Sequence, residues 1–295
     1  MYVGIEAGGT KFVCAVGTGP GDLREVTTFP TNTPDETLGR ARAFVAEHVD
    51  GLRGIGVASF GPVDLRPDSD TYGYITSTPK PGWRDADMLT PLREVVDVPI
   101  GFDTDVNGAA LGEARWGAAA DVESCVYVTV GTGIGGGGLL GGHLIHGLLH
   151  PEMGHVPVAR HPEDAYAGRC PFHGDCLEGL AAGPAIAERW GMPAQDLAGE
   201  ELRRAVDLEA EYLSQMAAAV TYILSPARLI FGGGVMHVDG LLDAMRARLV
   251  DRLNGYLDVP EITDNVDSYV VGPALADHAG VLGAIALADR AAEAA

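Results

Sequence analysis

Two stretches of this chain follow one pattern, and that repeat limits the fold more than any other feature. Residues 2–16 run YVGI, then Glu6-Ala7-Gly8-Gly9-Thr10-Lys11, then FVCAV. Residues 125–142, CVYVTVGTGIGGGGLLGG, repeat the order: a β-rich run, a Gly/Thr turn, more apolar chain. Such runs on either side of a glycine turn predict a hairpin whose turn a ligand can approach closely. Gly4-x4-Gly9 has the look of a P-loop, but Thr10-Lys11 stands in the wrong order and a strand follows instead of a helix. Gly131-x-Gly133-x-x-Gly136 satisfies the dinucleotide fingerprint on paper, yet that motif needs a helix next, and so glycine-rich a stretch opposes one. Two hairpins, each heading one half of the chain, predict two similar lobes facing one cleft. At each turn a plain hairpin and a phosphate-binding loop both fit the residues.

Between and beyond the hairpins the chain alternates helix and strand. Thr33-Pro34-Asp35-Glu36 is a capping box with proline at the first helical position, predicting a helix to about Val49. A buried strand, GIGVAS (54–59), is stopped by Phe60-Gly61-Pro62-Val63-Asp64. Thr78–Trp83 carries two prolines and must be extended; its Trp83 is either a core plug or a pocket wall. VPIGF (98–102) runs into Asp103-Thr104-Asp105-Val106-Asn107 and an Ala-rich helix to about Trp116. Asp105 at that junction fits an N-cap, and it fits a general base, because ligands bind at the carboxyl ends of strands in α/β sheets. Further on, Gly183-Pro184 starts a helix to about Trp190. A longer one near 200–224 carries the stripe Leu202, Val206, Leu213, Met216, Val220, expected to be core. RLIF (228–231) leads into Gly232-Gly233-Gly234-Val235 and another helix; the triplet allows a base or ribose to lie on the backbone, or tight helix–strand packing. A strand at 268–271 and a helix at 277–294 close the chain.

The segment His150–Gly179 has a different chemistry. Cys170-x2-His173-x2-Cys176, with His155 upstream, supplies two thiolates and two imidazoles, a tetrahedral set that suits zinc. A buried free cysteine or a disulfide beside surface histidines is the plainer reading. With all four places filled the zinc would be structural, closing a loop that holds Glu152 and Glu178 toward a small polar ligand. A chain of 295 residues is long enough for two lobes. Its net charge of -21 argues against nucleic acid and anionic membrane as partners. An anionic ligand would then need backbone N–H groups, a lysine or a divalent cation. No run is long enough to span a membrane, no signal peptide stands at the start, and four cysteines suit a reducing compartment. A cytoplasmic protein is expected.

Taken together, the chain resembles the ROK family of sugar kinases, and within it the bacterial fructokinase branch. The likeness runs from Gly4-Ile5-Glu6-Ala7-Gly8-Gly9-Thr10-Lys11 to the C-terminal helix; it is most specific at Pro151-Glu152-Met153-Gly154-His155 and at Cys170–Gly179. It implies an α/β, two-lobed actin-like ATPase (ribonuclease H-like) fold with a zinc-binding loop. The smaller lobe would span 1–115 plus about 277–295 and the larger 116–276. It implies a homodimer that uses ATP and Mg2+ and converts D-fructose to fructose 6-phosphate, with Asp105 as the catalytic base. Thr104, Glu152, His155 and Glu178 would bind sugar, and His155, Cys170, His173 and Cys176 zinc. Gly9, Thr10, Lys11, Thr132 and Gly133 would hold phosphates; Pro184, Gly232, Gly233, Gly234 and Val235 would hold adenosine. The resemblance has two departures. Glu6 stands where Asp is common, which bears on magnesium contact. Thr104 stands where glucokinase relatives have Asn, which moves the sugar from glucose toward fructose. The alternatives are a glucose, mannose or N-acetylmannosamine kinase, or a sugar-sensing regulator, whose helix-turn-helix would precede the first glycine turn.

Overall fold

A computed structural model describes residues 1–295. In chain order the elements begin with β1 (Tyr2–Ala7), β2 (Lys11–Gly19), β3 (Asp22–Pro30), α1 (Pro34–Glu47), β4 (Ile55–Ser59), α2 (Thr90–Arg93), β5 (Ile100–Thr104) and α3 (Asp105–Trp116). They continue with β6 (Cys125–Val130), β7 (Ile134–Leu140), β8 (His143–Leu144), α4 (Leu177–Ala181), α5 (Gly183–Trp190), α6 (Gly199–Leu224) and β9 (Arg228–Gly232). Last come α7 (Leu241–Leu253), α8 (Pro260–Thr263), α9 (Val266–Tyr269), β10 (Val270–Val271) and α10 (Ala279–Ala294). The chain divides into two compact units. The first is Met1–Ala120, His143–Pro151 and Ala274–Ala295; the second is Asp121–Gly142 and Glu152–Pro273.

The sheet of the first unit has the order β3-β2-β1-β4-β5. β1 pairs antiparallel with β2, Ala7 facing Phe12, so residues 2–16 do form a hairpin, and β1 runs parallel to β4 on its other side. β3 adds an outer strand to β2. One row of glycines decides how the sheet is covered. Gly4, Gly56 and Gly101 lie on β1, β4 and β5, beneath α10. A Cβ on Gly4 would come within 2.7 Å of the Val281 carbonyl oxygen, one on Gly56 would overlap that of Ala284, and one on Gly101 that of Leu287. A track without side chains across three strands lets the helix backbone settle directly on the sheet. Away from α10, Trp83 is fully buried against Phe12 and Phe60, with ring centroids 5.8 and 5.3 Å away, and its Nε1–H donates to the Asn32 carbonyl at 2.8 Å. It is a core plug.

In the second unit β6 pairs antiparallel with β7, Val130 facing Ile134, and parallel with β9, which pairs parallel with β10. This is the arrangement of β1 with β2 and β4. No helix follows Gly136, which lies within β7, so the hairpin reading of the second repeat holds. A Cβ at Gly136 would come within 2.7 Å of the Met153 sulfur, so that glycine makes room for core packing. Three expectations need correction. Leu213, Met216 and Val220 are core, but Leu202 and Val206 nearer the start of α6 are only half-buried. The glycine triplet leads into a 3-10 turn, Gly234–His237, before α7 begins. The strand at 268–271 shrinks to Val270–Val271 because the preceding residues make one helical turn. No helix is long and apolar enough to cross a membrane.

Gly56→Ala pushes a methyl group into the α10 backbone and should cost about 1–3 kcal/mol, the scale of core overpacking. Urea unfolding measures it; a loss under about 0.5 kcal/mol would mean that α10 does not depend on this track.

Candidate active site and metal centre

In the first unit the polar groups gather where β5 hands over to α3. Thr104 has an extended backbone and its Oγ1 accepts the Asn107 N–H at 3.1 Å, so Thr104 caps α3 and Asp105 is the first residue inside the helix. This corrects the sequence reading of Asp105 as the cap. Asp105 Oδ1 accepts the adjacent Val106 N–H at 2.9 Å, and the residue is half-buried. Thr104 Oγ1 is the acceptor in that cap bond, its own hydroxyl proton remains to be donated, and the residue is 4% exposed. Beneath it, Asp103 is 1% exposed, with Oδ1 accepting the Thr104 N–H and the Asn107 side-chain amide, each at 2.8 Å. Its Oδ2 lies 2.8 Å from His146 Nε2, and that hydrogen bond holds the His146 imidazole above the usual histidine range. His150, four residues on, accepts the Val63 N–H on Nε2 at 3.0 Å. The sequence reading missed both histidines. Their signal was the close spacing of His143, His146 and His150 just ahead of Pro151.

The β1–β2 turn is closed by the Gly8 N–H donating to the Lys11 carbonyl at 3.0 Å, which leaves Gly9, Thr10 and Lys11 exposed. Behind it, Glu6 Oε2 is buried without a partner, and burial raises the carboxyl, opposed by the charge of Lys11. An orphaned oxygen of this kind fits a contact to a cation, direct or through water.

The second unit holds the other predicted residues. In the β6–β7 turn Thr132 is exposed, and Glu178 Oε2 accepts the Ile134 N–H at 2.9 Å. A Cβ on Gly133 would come within 2.6 Å of that carboxylate oxygen, so glycine here admits Glu178 to the turn. The start of α5 closes on the same turn: the Gly183 N–H donates to the Gly131 carbonyl at 2.8 Å, with Pro184 next. The glycine triplet splits between its two readings. Gly232 packs under the Tyr127 hydroxyl and Gly233, at φ +91°, against the Val130 carbonyl; Gly234 is exposed with nothing within 4 Å of its Cβ position. Val235 is buried behind it.

His155, Cys170, His173 and Cys176 come together, their ligand atoms all within 4.8 Å of one another, and no cysteine is in a disulfide. His155 Nδ1 lies 3.5 Å from Cys176 Sγ and 3.8 Å from Cys170 Sγ, and His173 Nδ1 is 3.6 Å from Cys170 Sγ. A tetrahedral zinc with bonds of about 2.0–2.3 Å places ligand atoms about 3.5 Å apart, so this donor set fits that ion. Burial, with Cys170 adding to it, pushes the Cys176 thiol up to about 11. A bound dication is what turns such thiols into thiolates. The knuckle is tight: Cys170 and Gly174 exchange two backbone bonds, and Gly174 needs φ +69°. From it the chain enters α4 and presents half-buried Glu178; Glu152, exposed, precedes the turn that carries His155.

Thr104→Ala should lower stability by about 1 kcal/mol, the usual loss of a cap, and Thr104→Ser should restore it. Equal stability of the Ala variant in urea unfolding would remove the cap from this account.

Known proteins are similar to this chain along its whole length. A fructokinase from Zymomonas mobilis subsp. mobilis is 45% identical over 293 residues, covering 98% of this chain and 96% of its own. A fructokinase from Streptococcus mutans serotype c is 43% identical over 294 residues, covering 98% of each. A crystal structure of a ROK hexokinase from Thermus thermophilus superposes with a TM-score of 0.78 at 27% identity, covering 100% of this chain and 99% of that one. The ROK family pattern itself matches residues 2–291, and the chain belongs to that family.

Proposed function

We propose that this chain is an ATP-dependent hexose kinase that converts D-fructose to fructose 6-phosphate, with Asp105 as general base. The full-length likeness to fructokinases carries the reading, and the release of Asp105 from capping supports its role. Asp105 takes the proton of the sugar 6-hydroxyl while that oxygen forms its bond to the γ-phosphorus; the bond from phosphorus to the β–γ bridging oxygen breaks and ADP leaves. The turns at Gly9–Lys11 and Thr132–Gly133 offer backbone N–H groups and the Lys11 ammonium to the triphosphate, which offset the acidity of the chain. Gly234 gives adenosine an open stretch of backbone, flanked by Gly232, Gly233, Val235 and Pro184. Bound Mg2+ would neutralise phosphate charge, and the buried, unpartnered Glu6 Oε2 supports a contact to it, direct or through water.

Glu152, His155 and Glu178 bind sugar hydroxyls in this reading. His155 turns Nδ1 to the thiols, which leaves Nε2 for the sugar. Thr104 acts through its cap, which fixes where α3 and Asp105 begin. Zinc on His155, Cys170, His173 and Cys176 would lock the loop that carries both glutamates. Four free thiols support a reducing, cytoplasmic setting, and the family likeness supports a homodimer. A kinase for another hexose is the nearest competing reading. A coupled ADP-release assay across fructose, glucose, mannose and N-acetylmannosamine decides it, with fructose expected to lead glucose by at least about tenfold in kcat/KM.

Asp105→Asn keeps the size of the side chain but not its basicity, and should lower kcat by about 10²-fold or more. Near-normal turnover in the folded variant would return the base to another residue. Metal analysis of purified protein should find about one zinc per chain. Cys170→Ser should lose it and raise the KM for fructose, because Glu152 and Glu178 lose their support; full sugar affinity in zinc-free protein would separate the metal from the sugar site.

A further inference from the structure

At the carboxyl end of β5 most polar atoms are already in use. The Thr104 oxygen caps α3, and both Asp103 oxygens are taken by Thr104, Asn107 and His146. His146 differs from its neighbours. Its Nε2 faces the buried Asp103 carboxylate, its side chain is 41% exposed, and no group of the protein bonds its Nδ1. With Nε2 held against a residue that is 1% exposed, Nδ1 is the ring nitrogen left for a partner from outside the protein.

The segment that carries His146, His143–Pro151, leaves the neighbouring chain on both sides to join the first unit. His150 fastens it there through the Val63 N–H, and Val63 follows the loop that ends β4. Two separate side-chain contacts, at Asp103 and at Val63, thus fix one short segment beside the junction that bears Asp105. Asn107 completes the seat, with its amide nitrogen 3.3 Å from His146 Nε2. Asp103 decides the proton arrangement at Nε2, while the Asn107 amide, itself a donor bonded to Asp103, lies beside the ring. If Nε2 were unprotonated, its lone pair would face a carboxylate oxygen at 2.8 Å, so Nε2–H donates to Asp103.

We propose that His146 is a sugar-binding residue that sets hexose preference, donating from Nδ1 to a hydroxyl of the same sugar whose 6-hydroxyl meets Asp105. This rests on the hexose kinase reading above. Asp103 and Asn107 then serve as positioning residues that hold the ring and its proton. A planar ring fixed at one edge accepts only a sugar whose hydroxyl reaches the other edge. A hexose that leaves Nδ1 unpaired loses that bond and pays the desolvation of the ring.

The protonation state gives the proposal a distinctive signature. The charged group that meets the ring is Asp103 from β5, and Tyr72 is close enough to Asp103 to feel its charge. The hydrogen bond to Asp103 raises the His146 pKa, so the doubly protonated ring persists above the usual 6.5. Below the raised pKa, Nδ1 carries a proton and makes a charge-assisted bond to the hydroxyl; above it, Asp103 keeps the remaining proton on Nε2 and Nδ1 can only accept. Fructose binding should therefore weaken as pH rises through the His146 pKa.

The test compares wild type, His146→Gln and His146→Ala on fructose and ATP across the histidine range of pH. Gln still reaches Asp103 with an amide N–H but has no second nitrogen, so it preserves the seat while removing the sugar contact. Both variants should raise the KM for fructose by about tenfold, the value of one hydrogen bond near 1.4 kcal/mol. The KM for ATP and kcat should stay within about threefold, and the rise of fructose KM with pH should vanish in His146→Gln. A fall in kcat with unchanged fructose KM, or a fructose KM in His146→Gln equal to that of wild type, overturns the proposal and leaves His146 as a brace for Asp103. Wild-type protein that phosphorylates another hexose and spares fructose would overturn the fructose assignment instead. The same variants on that hexose would then decide the role of His146 separately.

Discussion

One buried carboxylate, that of Asp103, organises the chemistry of the first unit. An ionised carboxylate out of water costs several kcal/mol unless its lone pairs are met. Asp103 meets them with a backbone N–H, a side-chain amide and an imidazole, each at 2.8 Å. Satisfying it ties the last residue of β5, the first turn of α3 and a histidine from a distant segment into one arrangement. Thr104 is oriented to cap the helix, and Asp105 falls at the first helical position. Asp105 owes its position to the residue two before it in sequence.

Glycine does two separate jobs in this chain, and the contacts distinguish them. Gly56, Gly101, Gly232 and Gly233 are places where a Cβ would strike a backbone or ring oxygen, so they set how closely a helix, strand or tyrosine can approach. Gly234 meets nothing within 4 Å, and Gly9 sits in an exposed turn. Space left open at a turn is what a ligand needs; space already filled by the protein is what a core needs. Gly133 lies between these cases, since the space it leaves is taken by the Glu178 carboxylate. That contact joins a residue of the zinc-type loop to the second hairpin turn.

The Cys/His knuckle shows a third way of fixing a functional group. Two buried thiols and two imidazoles within 4.8 Å make a poor hydrophobic core and a good ligand set. A metal on these four ligands would add a constraint on the loop beyond what packing supplies. A carboxylate on a loose loop gains little from a ligand hydroxyl once its ordering entropy is counted, so the proposed sugar contacts of Glu152 and Glu178 depend on such a fixed base.

The sequence by itself determined the hairpins, the capping box of α1, the ligand set of the knuckle and the likeness to a family of sugar kinases. Each of these rests on residues close in sequence: a period of two, a Pro after a Thr, or a Cys-x2-His-x2-Cys spacing. Even the rejection of a dinucleotide helix after Gly136 came from local physics, since consecutive glycines cannot sustain one. The tertiary structure decided what depends on residues far apart. Trp83 became a plug because Phe12 and Phe60 enclose it, and the glycine triplet was divided by Tyr127 and Val130. Thr104 rather than Asp105 capped α3, because Asp103 takes the Thr104 N–H and fixes the backbone there. His146 acquired its seat from an aspartate 43 positions earlier. Composition and spacing carry no trace of that pair, because a buried charge chooses its partners by proximity in space, and only the folded chain brings them within 3 Å.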